Sequence, residues 1–181
     1  MKNTISRKKR RLEKTGGLTL EVVTPRVKTD LKKRLSDYWA VYERSWKKAE
    51  PYPSFINSVC EYAWATGELR LGFAYESERA VAAQIWFVCR ETAYIFKLAY
   101  DQEYRNLSVG SLVSWKLFEH VIEKDRIRCI DYLTGDDKYK RDWVSQRRDL
   151  YGVEVCNPRR WKGMLAMLRN EVANTSRRAR L

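Results

Sequence analysis

Leu98-Ala99-Tyr100-Asp101-Gln102-Glu103-Tyr104-Arg105-Asn106-Leu107-Ser108-Val109-Gly110-Ser111-Leu112 reads as the junction between a strand and a helix. Before it, Tyr94, Phe96, Leu98 and Tyr100 alternate with Ala93, Ile95, Lys97 and Ala99, a period of two in good strand formers. After it, from Val109 to Lys124, Val113, Leu117 and Val121 fall on one helical face, and Lys116, Glu119 and Glu123 on another. A helix that starts where a strand ends presents its unbonded first-turn N–H groups at that edge, a place suited to a phosphate. Asn106, Ser108, Gly110 and Ser111 keep the backbone approachable there, and Arg105 adds a fixed charge. Two readings of the loop stand at this point: an anion cradle, or an ordinary junction in which Ser108 caps the helix and Gly110 is merely tolerated.

Outward from this junction, three strands precede it: Glu68 to Tyr75, Ala80 to Arg90 and Thr92 to Tyr100. Their short connections predict an antiparallel meander. Further upstream, residues 4–14 read as a basic helix and Leu18 to Val23 as a strand. Thr24-Pro25 signals a helix running to about Trp46, and Ser54 to Thr66 a second helix that buries Phe55, Val59, Tyr62 and Ala63. Downstream, Ile127 to Leu133 is expected as a strand, Arg148 to Cys156 as a last strand and Pro158 to Ala173 as a C-terminal helix. There are no internal repeats.

Composition narrows the function classes. A chain of 181 residues with 44% hydrophobic content fits one ordinary domain. Cys60, Cys89, Cys129 and Cys156 show no metal-binding spacing and read as reduced core residues. The single histidine, His120, rules out a histidine-rich metal site and reads as a helix-boundary residue. No apolar run is long enough for a signal peptide or a membrane span, so a cytoplasmic protein is expected. The net charge of +13 is terminal: residues 1–14 and 158–181 each hold seven Lys or Arg against one Glu, and the remainder is nearly balanced. Such tails suit either phosphate contact with nucleic acid or solvated helix faces.

The order β-α-α-β-β-β-loop-α-β-α-β, with the polar loop after the fourth strand, resembles the GNAT acyl-CoA N-acyltransferase fold, an α/β (α+β) architecture with a mixed, mostly antiparallel central sheet and helices on both faces. Arg105-Asn106-Leu107-Ser108-Val109-Gly110 matches that family's pyrophosphate loop in register, with Ser108 in place of the first glycine. Five segments, Gly67 to Gly72, Ala80 to Trp86, Tyr94 to Asp101, Leu107 to Leu112 and Ile130 to Trp143, are similar to a bacterial branch known for cellulose or exopolysaccharide biosynthesis acetyltransferases. That branch is related to the Fem-type aminoacyl-tRNA-dependent transferases. Its members are usually about twice this length, with a GNAT-like N-terminal half, and residues 7–17 resemble the end of that half. The resemblance therefore implies a basic helical extension at 1–15, an acyltransferase domain at 16–176 and a basic tail at 177–181. It also implies a homodimer or a partner that supplies the other half.

What the resemblance implies for chemistry is an acyl group moved from acetyl-CoA or another acyl-CoA to an amine or hydroxyl acceptor such as a sugar, with no metal. The alternatives are aminoacyl transfer from a tRNA, or a non-catalytic coenzyme-binding module. Coenzyme A is expected against Lys97, Leu98, Ala99 and Tyr100 on the strand and Arg105, Asn106, Leu107, Ser108, Val109, Gly110 and Ser111 at the loop. Asp131, with Lys97 as its candidate partner, and Tyr139 are the expected proton-handling residues. Gln84, Asp136, Asp137, Lys140 and Trp143 are expected at the acceptor groove. Asp136 and Asp137 resemble a metal cluster only superficially, one of them reading better as a helix cap. Trp143, Tyr132 and Trp86 fit a sugar-stacking wall or the core equally well.

Overall fold

In a computed structural model of the chain, residues 17–26 and 29–178 are described. The expected basic helix at 4–14 lies outside them. The chain divides into two units, Met1–Val144 and Ser145–Leu181.

The first unit is built on a five-stranded sheet of β1 (Leu18–Val23), β2 (Leu69–Glu76), β3 (Arg79–Cys89), β4 (Thr92–Tyr100) and β5 (Cys129–Asp131). The strands lie in sequence order; all neighbours are antiparallel except β4 and β5, which run parallel. Helices α1 (Leu31–Glu43) and α2 (Pro53–Ala65) are set against one face of the sheet and α3 (Val109–Glu123) against the other. On the α1 and α2 face, Tyr38, Val41, Ile56 and Cys60 meet Leu71, Phe73 and Ile85; on the α3 face, Val113, Leu117 and Val121 meet Trp86 and Ala93. Buried aliphatics of this kind each cost about 2–5 kcal/mol when cut to Ala. Gly72 sets how deeply α3 sits, because a Cβ there would come within 2.5 Å of Leu117 Cδ1 and 2.7 Å of Val113 Cγ1.

Several expectations are corrected. Residues Pro25 and Arg26 form a turn, and α1 begins only at Leu31, where the Asp30 carboxylate caps it by accepting from Lys32 N at 2.9 Å. Helix α2 buries Ile56, Cys60 and Ala63, leaving Phe55 and Tyr62 exposed. Both stripes of that helix are apolar, so periodicity alone does not choose between them. Strand β5 stops at Asp131, whose carboxylate accepts Leu133 N at 2.7 Å and turns the chain, with Leu133 at φ 57°. Of the four cysteines only Cys60 is fully buried, its thiol pushed up to about 12 by burial; Cys89 and Cys129 are exposed, and all four are free.

The second unit holds α5 (Trp161–Arg178), preceded in the first by the short α4 (Lys138–Arg141). The strand expected at Arg148 to Cys156 does not form. Those residues have no regular structure, and their unit offers no other strand among the described residues to complete a ladder.

Candidate functional site

The parallel pairing of β4 with β5 covers only Thr92 to Tyr94 against Cys129 to Asp131. Beyond it the edge of β4 from Ile95 to Tyr100 carries no strand among the described residues. A bulge marks the parting: Ile85 pairs with Lys97 and Trp86 with Ile95, so Phe96 is the extra residue. An inserted residue bends its strand and raises the local twist, which separates β4 from β5 and opens a cleft between them. The bulge also reverses the side-chain parity. It puts Lys97 on the α1 and α2 face with its partner Ile85, where the Glu50 carboxylate accepts from its Nζ at 2.6 Å; Asp131 lies in register with Tyr94, three residues back along β4. The expected Lys97–Asp131 pair is thereby replaced by Lys97–Glu50.

The end of β4 is held firmly. Asp101, 2% exposed, accepts from Arg44 Nε at 2.8 Å, Arg79 Nη2 at 2.7 Å and Glu103 N at 3.1 Å. Burial pushes its carboxyl up, but the Glu103 N–H and the two guanidinium groups outweigh that and hold it below the usual carboxylate range. From this brace a 3-10 helix, Gln102–Leu107, leads to Ser108, which sits in the left-handed region at φ 55° and ψ 36°. Ser108 thus takes the backbone conformation that a glycine would adopt more readily, so the loop keeps its shape without one. Its side chain makes no capping bond to α3. The first bond of α3 runs from Leu112 N to Ser108 O at 3.2 Å, so the N–H groups of Val109, Gly110 and Ser111 precede the ladder. No acidic residue occupies that first turn, leaving the positive end of the helix for an outside anion.

These elements enclose a cleft of about 480 Å³. It is lined by Gln84, Leu98 and Tyr100 of the sheet, by Arg105, Ser108, Val109, Gly110, Ser111 and Ser114 of the loop and α3, and by Trp46, Tyr139, Asp142 and Trp143. At Gly110 a Cβ would lie 3.1 Å from the Tyr100 ring, so any larger residue there would press on that side chain. Trp46 lies against Tyr100 with ring centres 4.5 Å apart, and Trp143 stacks on Phe118 at 5.0 Å and 12°. Burial, with Asp137 adding to it, raises the Tyr139 phenol above its ordinary range, so it stays protonated near neutral pH.

Ten of the expected residues therefore line the cleft: Gln84, Leu98, Tyr100, Arg105, Ser108, Val109, Gly110, Ser111, Tyr139 and Trp143. Others do not. Ala99 is buried on the α1 face, and Asn106 and Leu107 are exposed on the 3-10 helix. Asp136 is paired with Arg141 at 2.9 Å. Asp137 stands before α4 without a side-chain cap bond, 3.4 Å from Lys140 Nζ. Lys140 holds its own loop, donating to Thr134 O at 2.6 Å and Tyr132 O at 3.2 Å. Asp131 is held in the turn after β5, outside the lining. Trp86 and Tyr132 belong to the core. The sequence reading missed Trp46, Ser114 and Asp142. Of these, only Ser114 left a signal, as a hydroxyl within the apolar stripe of α3.

The cleft thus combines an open strand edge with the N-terminus of α3 and a protonated phenol among its lining residues. The acetyltransferase (GNAT) domain family matches residues 1–141, and the chain belongs to that family, whose members are acyl-CoA-dependent acetyltransferases. Solved structures share the fold at low identity. An aminoglycoside acetyltransferase from an uncultured soil metagenomic sample, crystallised with sisomicin, superposes with a TM-score of 0.55 at 14% identity, over 79% of this chain and 99% of that one. AAC(6')-Iy, in complex with the bisubstrate analogue CoA-S-monomethyl-acetylneamine, gives 0.54 at 10% identity over 76% and 99%. A ribosomal-protein-alanine N-acetyltransferase from Brucella melitensis biovar Abortus gives 0.51 at 9% identity, also over 76% and 99%. No curated protein matches the chain. Among the described residues no helix is long and apolar enough to cross a membrane, and no cluster of side chains could hold a metal ion.

Proposed function

We propose that this cleft transfers an acetyl or related acyl group from acyl-CoA to a hydroxyl or amine on a sugar or polysaccharide precursor. The observation that carries the coenzyme half of this reading is the acid-free N-terminus of α3, with Arg105 beside it, at the end of the open β4 edge. The backbone N–H groups of Val109 to Ser111 would hold a pyrophosphate, and the outward backbone groups of Leu98 to Tyr100 would pair with an amide-bearing arm. Bound acyl-CoA supplies the thioester carbonyl and a thiolate leaving group.

The chain's own residues then orient and move protons. Tyr139, protonated and lining the cleft, would give a proton to the departing sulfur. Asp142, which lines the same cleft, would accept a hydrogen bond, and later a proton, from the acceptor. The composition of the walls supports this acceptor class. Trp46, Tyr100, Tyr139 and Trp143 give apolar ring faces with polar edges, against a single carboxylate, Asp142. That balance suits a largely neutral sugar ring better than a polycation, which would call for several carboxylates. The test is thiol release from acetyl-CoA with neutral sugars, amino sugars and an aminoglycoside as acceptors. Turnover with a sugar or amino sugar supports the reading; turnover confined to the aminoglycoside overturns the acceptor class, and coenzyme binding without any turnover overturns the reaction.

A further inference from the structure

Gln84 lies in the middle of β3 with 1% of its surface exposed, yet every polar group of its amide is used. Its Nε2 donates to Gly110 O at 2.9 Å and to Ser114 Oγ at 2.8 Å, both on α3; its Oε1 accepts from Trp86 Nε1 at 2.9 Å, on its own strand. Trp86 is itself fully buried and fixed edge-on against Phe118, with ring centres 5.3 Å apart at 87°.

The amide can take only this orientation. Flipped, it would set its oxygen against the Gly110 carbonyl and its NH₂ against the indole N–H, two mismatches in a dry interior. The bonds therefore tie the first turn of α3 to a rigid indole in the centre of the sheet. Filling the same volume would need no polar group, and a buried amide is costly unless fully bonded. What the amide adds is direction: Gly110, whose carbonyl it holds, is one of the three residues whose N–H groups open the helix.

We propose that Gln84 is a positioning residue for the acyl donor, fixing the first turn of α3 so that the N–H groups of Val109, Gly110 and Ser111 converge on the pyrophosphate. This rests on reading the cleft as an acyl-CoA site. It replaces the sequence-based expectation that Gln84 meets the acceptor, since neither end of its amide is left to do so.

The test compares two ligands on the full chain by titration calorimetry: CoA, and S-acetylpantetheine, which keeps the arm and thioester but lacks every phosphate. Gln84→Met removes all three bonds, and Gln84→Glu keeps the acceptor for Trp86 while removing both donors. In each, CoA affinity should fall by about ten- to a hundredfold, the size of effect that small misplacements produce. S-Acetylpantetheine should weaken much less, so the preference for CoA should shrink. A loss shared equally by both ligands, or an unchanged preference, overturns the role of Gln84 while leaving the cleft reading standing. Failure of the wild-type chain to bind CoA overturns the cleft reading and this inference with it. Should Gln84→Met not fold, Ser114→Ala removes one of the two helix-side partners. Its CoA preference should drop by about two- to tenfold, and no drop overturns the proposal. A second readout is the Trp86 indole N–H resonance, which should move when CoA, but not S-acetylpantetheine, is added to the wild type.

Discussion

Ser111→Asp separates a binding role of the α3 N-terminus from a structural one, because the two respond with opposite signs. Ser111 is exposed, lines the cleft and stands in a first turn that has no acidic residue. A carboxylate at that end of a helix gains about 0.3–1 kcal/mol from the dipole. For a chain of this size that raises Tm by about 1–4 °C. The same carboxylate would face the bound pyrophosphate. Two unit charges about 4 Å apart repel by about 1 kcal/mol in a water-like medium and about 4 kcal/mol at an effective dielectric constant of 20. CoA affinity should then fall between about fivefold and a thousandfold, at about tenfold per 1.4 kcal/mol. Ser111→Asn, close to Asp in shape but neutral, should bind CoA near the wild-type level. Calorimetric Kd values and melting curves for the three proteins give the answer. A Ser111→Asp protein that binds CoA as well as Ser111→Asn would refute the placement of the phosphates.

Three further outcomes are expected. Tyr139→Phe should lower kcat by about 10²- to 10⁴-fold, the usual loss when a general acid is removed, in steady-state thiol-release kinetics; a change within twofold would remove Tyr139 from the mechanism. Tyr38 is 1% exposed, with a hydroxyl that has no hydrogen-bond partner, so Tyr38→Phe should raise stability by about 1 kcal/mol in urea unfolding, and a loss would mean that the hydroxyl is satisfied in solution. Burial holds the His120 imidazole below its ordinary pKa of about 6.5, against the opposing pull of Asp125. The unfolded chain therefore takes up that proton first; stability is full above about 6.5 and declines as the pH falls through it. His120→Gln should flatten the pH dependence of stability between pH 7 and 5, and an unchanged slope would exclude the histidine as its source.

The meander and the strand-to-helix junction were readable because both rest on local signals: period-two runs with short connections, and a small polar loop ahead of an amphipathic helix. What escaped depends on pairing between segments distant in sequence. The bulge at Phe96 leaves no compositional trace, yet it sets the face on which Lys97 meets Glu50 and marks where β4 parts from β5. Trp46 reaches the cleft only because the chain between α1 and α2 returns to the end of β4, as its packing on Tyr100 shows. The alternation at Val153 and Val155 carries strand propensity, but a strand also requires a neighbour to bond, and propensity does not supply one. Gln84 shows the same gap at the level of a single side chain: the sequence marks a polar residue in an apolar run, and only the fold reveals what it bonds.

The central claim is that the first turn of α3 binds the phosphates of an acyl donor, and amide chemical shifts of ¹⁵N-labelled protein titrated with CoA read it most directly. The N–H resonances of Val109, Gly110 and Ser111 should shift most and saturate together with those of the β4 edge from Leu98 to Tyr100. Absence of saturable shifts at millimolar CoA, or shifts confined to residues outside this cleft, would contradict it.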